Sequence, residues 1–310
     1  MIRHLLKISD FSKDECEKVI NKAIEIKKNP KNFNSALVGE TLLMLFEKPS
    51  LRTRVSFETG MQQLGGHAIF YSITDSPLGK KENISDMAKV ASRFVNIIAA
   101  RVFKRQDIWD LAKYADVPVI NMLDDFAHPC QILGDFQTIK EKKNSLENMK
   151  LSYFGDAHNN VTYDLMRMCA MFGWNMNVAC PNAPEYSPEQ IVLDEVLGLS
   201  KKMGAEVEIV HNALEAARDS DIIYTDSWMS YGIPLEQEEE RIKAFMPFQV
   251  TSLVMKAAKS DAVFMNCLPA MREYEQTADI IDGPQSIVYD QAENRLHIQK
   301  AIMLFLRDKF

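Results

Sequence analysis

Alternation limits this chain more than any other feature. Short apolar runs of strand length are followed again and again by stretches of helical periodicity. Ser12 and Glu15 make a capping box that opens a helix through about Lys28. Thr41-Leu-Leu-Met-Leu-Phe46 is a strand-length run, and Arg54 to Leu64 is helical until Gly65-Gly66 stops it. Strands at 68–71, 96–102 and 117–121 then alternate with helices at 83–94, 106–114 and 129–142. The polar run Lys140 to Lys150 is a candidate boundary, after which the pattern restarts. Strands at 151–154, 175–179, 207–210, 222–225 and 263–265 alternate with helices, and a long last helix covers about Gln291 to Arg307. Strand–helix alternation implies parallel sheets covered on both faces. The expected class is α/β, with two doubly wound parallel-sheet domains and a C-terminal helix that returns to the first.

Length supports two such domains, because 310 residues is about twice the usual domain size. The division expected is 1–142 plus 287–310 for the first domain and 143–286 for the second. With 36 basic and 43 acidic residues the net charge is −7. That balance argues against a general nucleic-acid or anionic-membrane binder, while leaving room for a local basic pocket. No run approaches the ~18 apolar residues a membrane span needs. The first residues lack the apolar stretch of a signal peptide. Five cysteines without a Cys-x-x-Cys pair suit neither a disulfide framework nor a zinc site. A reduced, cytoplasmic protein without a metal is expected.

The densest chemical signal is Phe46-Glu-Lys-Pro-Ser-Leu-Arg-Thr-Arg54, which follows a strand and opens a helix. Unpaired N–H groups and a partial positive charge at a helix start, with two hydroxyls and two guanidiniums, suit a phosphate. Capping by Ser50 or Thr53 explains one hydroxyl and leaves the rest of the cluster unexplained. Arg101 ends a buried strand, where parallel sheets bind ligands; an interdomain salt bridge is the competing role. His128 and Gln131 are three apart at a helix start and can face one ligand. His128 taken alone reads first as an ordinary loop histidine. Asp226 follows another strand and leads into Ser-Trp-Met-Ser230, a pattern suited to an ammonium group. Cys267 is open to three roles: nucleophile, ligand-facing thiol or small buried hydrophobe. Arg295 adds charge to an anion site or sits on a solvated helix face. Gly155-Asp-Ala-His-Asn-Asn160 lies where a dinucleotide loop would, but it lacks the three glycines of that fingerprint.

Taken together, Phe46–Arg54, His128-Pro-Cys-Gln131, Asp226-Ser-Trp-Met-Ser230, Cys267-Leu-Pro269 and Glu293-Asn-Arg295 resemble the carbamoyltransferases, most closely those acting on ornithine. The resemblance runs along essentially the whole chain. It implies that Ser50, the Leu51 backbone, Arg52 and Thr53 hold the phosphate of carbamoyl phosphate, with Arg295 completing the anion site. It implies that Arg101 and His128 hold the carbonyl oxygen, assisted by Thr53. Gln131 and the carbonyls of Cys267 and Leu268 would take the carbamoyl amino group. Asn159 would meet the carboxylate of L-ornithine, and Asp226 and Ser230 its α-amine. Tyr231 occupies the loop position next to Ser230, and Cys267 with Asp226 would orient the δ-amine. The implied reaction is direct attack, with domain closure to exclude water and no metal or organic cofactor. The implied assembly is a homotrimer or a multiple of trimers. Three positions depart from the family pattern: Asn266 in place of a histidine before Cys267, Tyr231 in the Ser230-Tyr231-Gly232 loop, and Pro77 where relatives place a glutamine, with Lys80 or Lys81 as its replacement.

Overall fold

The computed structural model describes residues 2–73, 82–230 and 232–310, so the readings on Pro77, Lys80, Lys81 and Tyr231 lie outside the described residues. The chain divides into two compact units, Met1–Gln137 with Glu293–Phe310, and Thr138–Ala292.

The first unit opens with α1 (Lys13–Lys28), and the Ser12–Glu15 capping box is formed in both directions. There follow β1 (Thr41–Phe46), α2 (Leu51–Gln63), β2 (His67–Ser72), α3 (Ile84–Ala91), β3 (Ile97–Arg101), α4 (Arg105–Tyr114), β4 (Val119–Leu123) and α5 (Pro129–Lys143), which starts in this unit and ends in the second. The strands form one parallel sheet in the order β2-β1-β3-β4. β3 is buried at every residue, as a central parallel strand must be. Ile98, Ala100, Val102, Ile108 and Leu111 lie in one core cluster with Ala88 and Ala91 of α3.

Two helix boundaries differ from the sequence reading for local reasons. α2 begins at Leu51 rather than Arg54, because Ser50 Oγ caps it by accepting from Thr53 N at 3.3 Å. α5 runs to Lys143, so the polar run starting at Lys140 begins inside a helix. Its three terminal lysines suit the negative end of the helix dipole.

The second unit contains β5 (Lys150–Phe154), α6 (Asn160–Phe172), β6 (Asn175–Ala179), α7 (Gln190–Met203), β7 (Val207–Val210), α8 (Ala213–Ala217), β8 (Ile222–Thr225), α9 (Glu238–Phe245), α10 (Ser252–Ala257), β9 (Val263–Asn266) and α11 (Ala278–Ile281). Its sheet is parallel throughout, in the order β7-β6-β5-β8-β9. α12 (Val288–Leu306) starts in this unit and ends in the first.

Each sheet has a topological switch point, where the strand order reverses and the crevice at the carboxyl ends opens. In the first unit it lies between β1 and β3, where Phe46 pairs with Arg101. In the second it lies between β5 and β8, where Phe154 pairs with Thr225. Phe46–Arg54 and Arg101 leave the first sheet at its switch point and Asn159 and Asp226 follow the strands of the second, whereas His128 follows β4, Cys267 follows β9 and Arg295 lies on α12.

Candidate active site

At the first switch point, β1 feeds through Glu47–Ser50 into α2, and Arg101 ends the neighbouring strand. Arg101 and Thr53 are buried, while Leu51 is exposed and contributes only backbone to this corner. Arg52 is half-buried and has no hydrogen-bond or ion-pair partner among the described residues. Arg54 faces elsewhere: its guanidinium lies 3.7 Å from the Phe70 ring centroid and its Nε donates to Glu58 at 3.0 Å.

His128 enters from the β4–α5 loop. Asp124 Oδ1 accepts from the N–H groups of Phe126 and Ala127, both at 2.7 Å, and this tight turn delivers His128 to the start of α5. Burial holds the His128 pKa well below that of an ordinary histidine, and the cations Arg295, Arg101 and Lys48 push the same way. The imidazole is neutral and carries one N–H, which makes it a hydrogen-bond donor without net charge.

Arg295, from α12, ties the corner together. It donates to Gln131 Oε1 and, at 3.3 Å, to Thr53 Oγ1. Gln131 Nε2 in turn donates to Asp135 at 2.8 Å. α2, α5 and α12 are thereby joined by one buried polar chain in the first unit. Arg295 is not on a solvated face, since only 4% of it is exposed.

At the second switch point, β5 ends in Gly155–Asn159 and β8 ends in Asp226. Cys267 follows β9 and its thiol donates to Asp226 Oδ1 at 2.7 Å. Burial raises the Asp226 pKa, against the opposing pull of the Cys267 bond. Asn159 caps α6: its Oδ1 accepts from Thr162 N, and its Nδ2 donates to the Tyr153 hydroxyl, both at 2.9 Å. The same loop offers an anion the first-turn N–H groups of a 13-residue helix. Ser230 is half-buried at the end of the Asp226–Ser230 segment.

Asn266 has a clear structural place. It is fully buried, with Oδ1 accepting from Leu268 N at 2.8 Å and Nδ2 donating to Gln276 Oε1 at 3.0 Å. Its backbone N donates to Gln291 Oε1 at 3.1 Å. These bonds hold Leu268 at φ 55, a left-handed conformation that a leucine does not adopt by preference.

Two sequence profiles match this chain: "Aspartate/ornithine carbamoyltransferase, carbamoyl-P binding domain" over residues 3–141, and "Aspartate/ornithine carbamoyltransferase, Asp/Orn binding domain" over residues 147–306. The chain belongs to the aspartate/ornithine carbamoyltransferase family. A protein named ornithine carbamoyltransferase from Thermococcus kodakarensis is 47% identical over 303 residues, which is 97% of this chain and 95% of that one. The solved structure of the ornithine transcarbamoylase from Giardia lamblia superposes with a TM-score of 0.91 at 43% identity, covering 99% of both chains. That of the ornithine carbamoyltransferase from Pyrococcus furiosus gives 0.92 at 46% identity, covering 97% of this chain and 96% of that one. The two parallel-sheet α/β domains expected from the alternation are the fold of these carbamoyltransferases.

For this carbamoyltransferase family member, sequence reasoning passed over three buried charges beside the family motifs. Lys48 is only 5% exposed; burial, with Arg101 beside it, lowers its pKa to about 8. Its ammonium lies 4.6 Å from the Phe103 ring centroid. Arg241 and Glu275 are buried in the second unit, each bonded to the Asp226–Ser230 segment through Trp228. A lysine within the Phe46–Arg54 cluster was visible in the sequence; the other two give no local signal of their role, because Arg241 meets Asp156 across 85 residues and Glu275 meets Trp228 across 47.

Proposed function

We propose that this chain transfers the carbamoyl group of carbamoyl phosphate to the δ-amine of L-ornithine, giving L-citrulline and phosphate. The observation that carries the reading is the pairing of chemistries at the two switch points: a cationic corner with a neutral histidine in one unit, and a buried carboxyl bonded to a thiol in the other. Near-full-length relatives at 42–47% identity, all named ornithine carbamoyltransferase, support the same acceptor.

In the first unit, Ser50, the Leu51 backbone, Arg52, Thr53 and Arg295 hold the phosphate. Lys48 adds charge to the same corner. Arg101 and the neutral His128 donate to the carbonyl oxygen, with Thr53 assisting, and Gln131 accepts from the carbamoyl amino group. Donors aimed at an oxygen that gains charge are worth about 3–4 kcal/mol each. In the second unit, Asp226 and Ser230 take the α-ammonium. An arriving cation offsets the burial that raises the Asp226 pKa, so the carboxylate form is the one that binds. Asn159 and the start of α6 meet the α-carboxylate, and Tyr231 lies beside Ser230 in the chain. Cys267 and Asp226 orient the δ-amine, while the carbonyls of Cys267 and Leu268 accept from a substrate amino group.

The neutral δ-amine attacks the carbamoyl carbon with its lone pair and forms a tetrahedral intermediate. The carbon–oxygen bond to phosphate then breaks, and phosphate leaves with the electron pair. The proton shed by the new C–N bond goes to the departing phosphate. This sequence balances without a metal or an organic cofactor. The same reading carries a homotrimer, or a multiple of trimers, working in the cytoplasm; particle mass from light scattering tests the assembly.

A carbamoylation assay with carbamoyl phosphate and ornithine, putrescine, N-acetylornithine or aspartate, read by product mass, tests the function. Citrulline from ornithine is expected. Turnover with another amine alone would overturn the acceptor and keep the reaction. Binding of carbamoyl phosphate without any turnover would overturn the enzyme reading.

A further inference from the structure

We propose that Arg241, acting with Asp156 and Glu275, positions the amino-acid-binding loops of the second unit. It rests on the reading of Asp226, Ser230 and Asn159 as the groups that hold ornithine.

The geometry centres on the Trp228 peptide, which lies between Asp226 and Ser230. Its carbonyl accepts from Arg241 Nε at 2.8 Å. Its N–H points to Glu275 Oε1 at 3.4 Å. The other Glu275 oxygen accepts from Met271 N at 2.8 Å, in the segment that follows Cys267-Leu-Pro269. The far side of the Arg241 guanidinium pairs with Asp156 Oδ2. Asp156 Oδ1 accepts from His158 N at 2.9 Å, one residue before Asn159. One chain of polar contacts therefore links the loops that leave β5, β8 and β9.

Every charged group in it is buried: Arg241 is 7% exposed, Asp156 3% and Glu275 1%. The guanidinium also lies 5.4 Å from the Tyr186 ring centroid and 5.1 Å from that of Phe245. Apolar side chains of similar volume stabilise such a position at least as well, because ions lose solvation when buried. What apolar packing cannot do is fix a peptide from both its N–H and its C=O. The loops are held closely in another respect too. Gly155 has φ 119, and a Cβ built on it would stand 2.7 Å from Trp228 Nε1. The β5 loop thus sits directly against the indole of Trp228, the residue whose peptide Arg241 and Glu275 bond.

None of the three groups is assigned a contact with substrate, so their effect on the reaction runs through the placement of Asp226, Ser230 and Asn159. The double substitution D156N/R241Q removes both charges of the pair and leaves neither carboxylate nor guanidinium unpaired. We expect it to raise the KM for ornithine by roughly tenfold or more, since small displacements of orienting groups are costly. The KM for carbamoyl phosphate, bound by the other unit, stays within about twofold, which a general loss of folding would not produce. Glu275→Gln is nearly isosteric and leaves the Asp156–Arg241 pair intact. We expect it to raise the ornithine KM about threefold, the effect of weakening one hydrogen bond. Circular dichroism and melting temperature establish that each variant is folded. Should the double variant fail to fold, E275Q decides. An ornithine KM unchanged in a folded variant overturns the inference. Absence of citrulline from the unsubstituted protein overturns the function reading, and this inference with it.

Discussion

The Cys267 thiol donates to Asp226 Oδ1 across 2.7 Å, joining the ends of β8 and β9. A thiol committed to a buried carboxyl is poorly placed to act as a nucleophile, and it is well placed to share that carboxyl with an incoming ammonium. Cys267→Ser keeps a donor of shorter reach. Its kcat for carbamoyl transfer is expected to fall by roughly tenfold, the size of a weakened bond to a charged group, rather than to vanish. Steady-state kinetics with ornithine check this. Complete loss of activity in a folded variant would point back to covalent catalysis.

Arg52 stands at the start of α2 without a partner among the described residues. If Arg52 holds the phosphate as proposed, Arg52→Gln removes a charge-assisted contact and is expected to raise the KM for carbamoyl phosphate by about 10–100-fold. Ornithine binding measured by calorimetry without carbamoyl phosphate should be unchanged. Parental carbamoyl phosphate kinetics would remove Arg52 from the phosphate site.

Lys48 adds a pH dependence to the same corner. Its pKa of about 8 means that the unliganded protein loses this cation as pH rises through that value. An anion favours the protonated form, so binding above pH 8 must take up a proton. The KM for carbamoyl phosphate is expected to rise above that pH, by up to about tenfold per unit. In Lys48→Gln the KM should be higher at neutral pH and this alkaline rise should be absent. A profile from pH 7 to 9.5 for both proteins tests the assignment, and matching slopes would refute it.

Glu275 makes a prediction about stability. Burial raises its pKa from 4.5 to about 7, outweighing the lowering effect of its backbone hydrogen bonds. A carboxyl whose folded pKa is raised binds its proton more tightly in the folded state. The resulting stabilisation is full below the unfolded pKa and is lost as pH rises through 7. The whole effect is on the order of 3 kcal/mol. Glu275→Gln lacks the titration, so its melting temperature relative to the parent should climb between pH 5 and 8. A difference that stays flat across that range would show that Glu275 titrates normally.

Much of the architecture was legible because it is local. The Ser12–Glu15 capping box spans one helical turn, and it forms as read. The strand at Asn175–Ala179 matches the sequence reading residue for residue, since a run bounded by turn signals needs no distant partner to be recognised. The Ser50–Thr53 cluster marked a helix start, and α2 does begin there with Ser50 as its cap; the anion-site reading rests on the unpaired N–H groups any helix start has. The start of α2 was misplaced by three residues for want of knowing which hydroxyl caps it. Asn159 shows the limit from the other side. The family resemblance proposes it as a substrate contact, whereas in the fold its amide caps α6 and donates to the Tyr153 hydroxyl.

The sequence alone determined the alternation of strands and helices, the parallel-sheet class and the family motifs, all of which are written in neighbouring residues. Tertiary structure decided the strand order, and with it which motifs meet. Asp226 and Cys267 are bonded although 41 residues separate them, and Arg295 reaches Thr53 across 242. Burial likewise came only from the fold: it keeps His128 neutral, brings Lys48 to about 8 and Glu275 to about 7. Periodicity reports how each segment meets its own neighbours. A pKa or a long-range bond depends on what the folded chain packs around a group, and no local pattern encodes that.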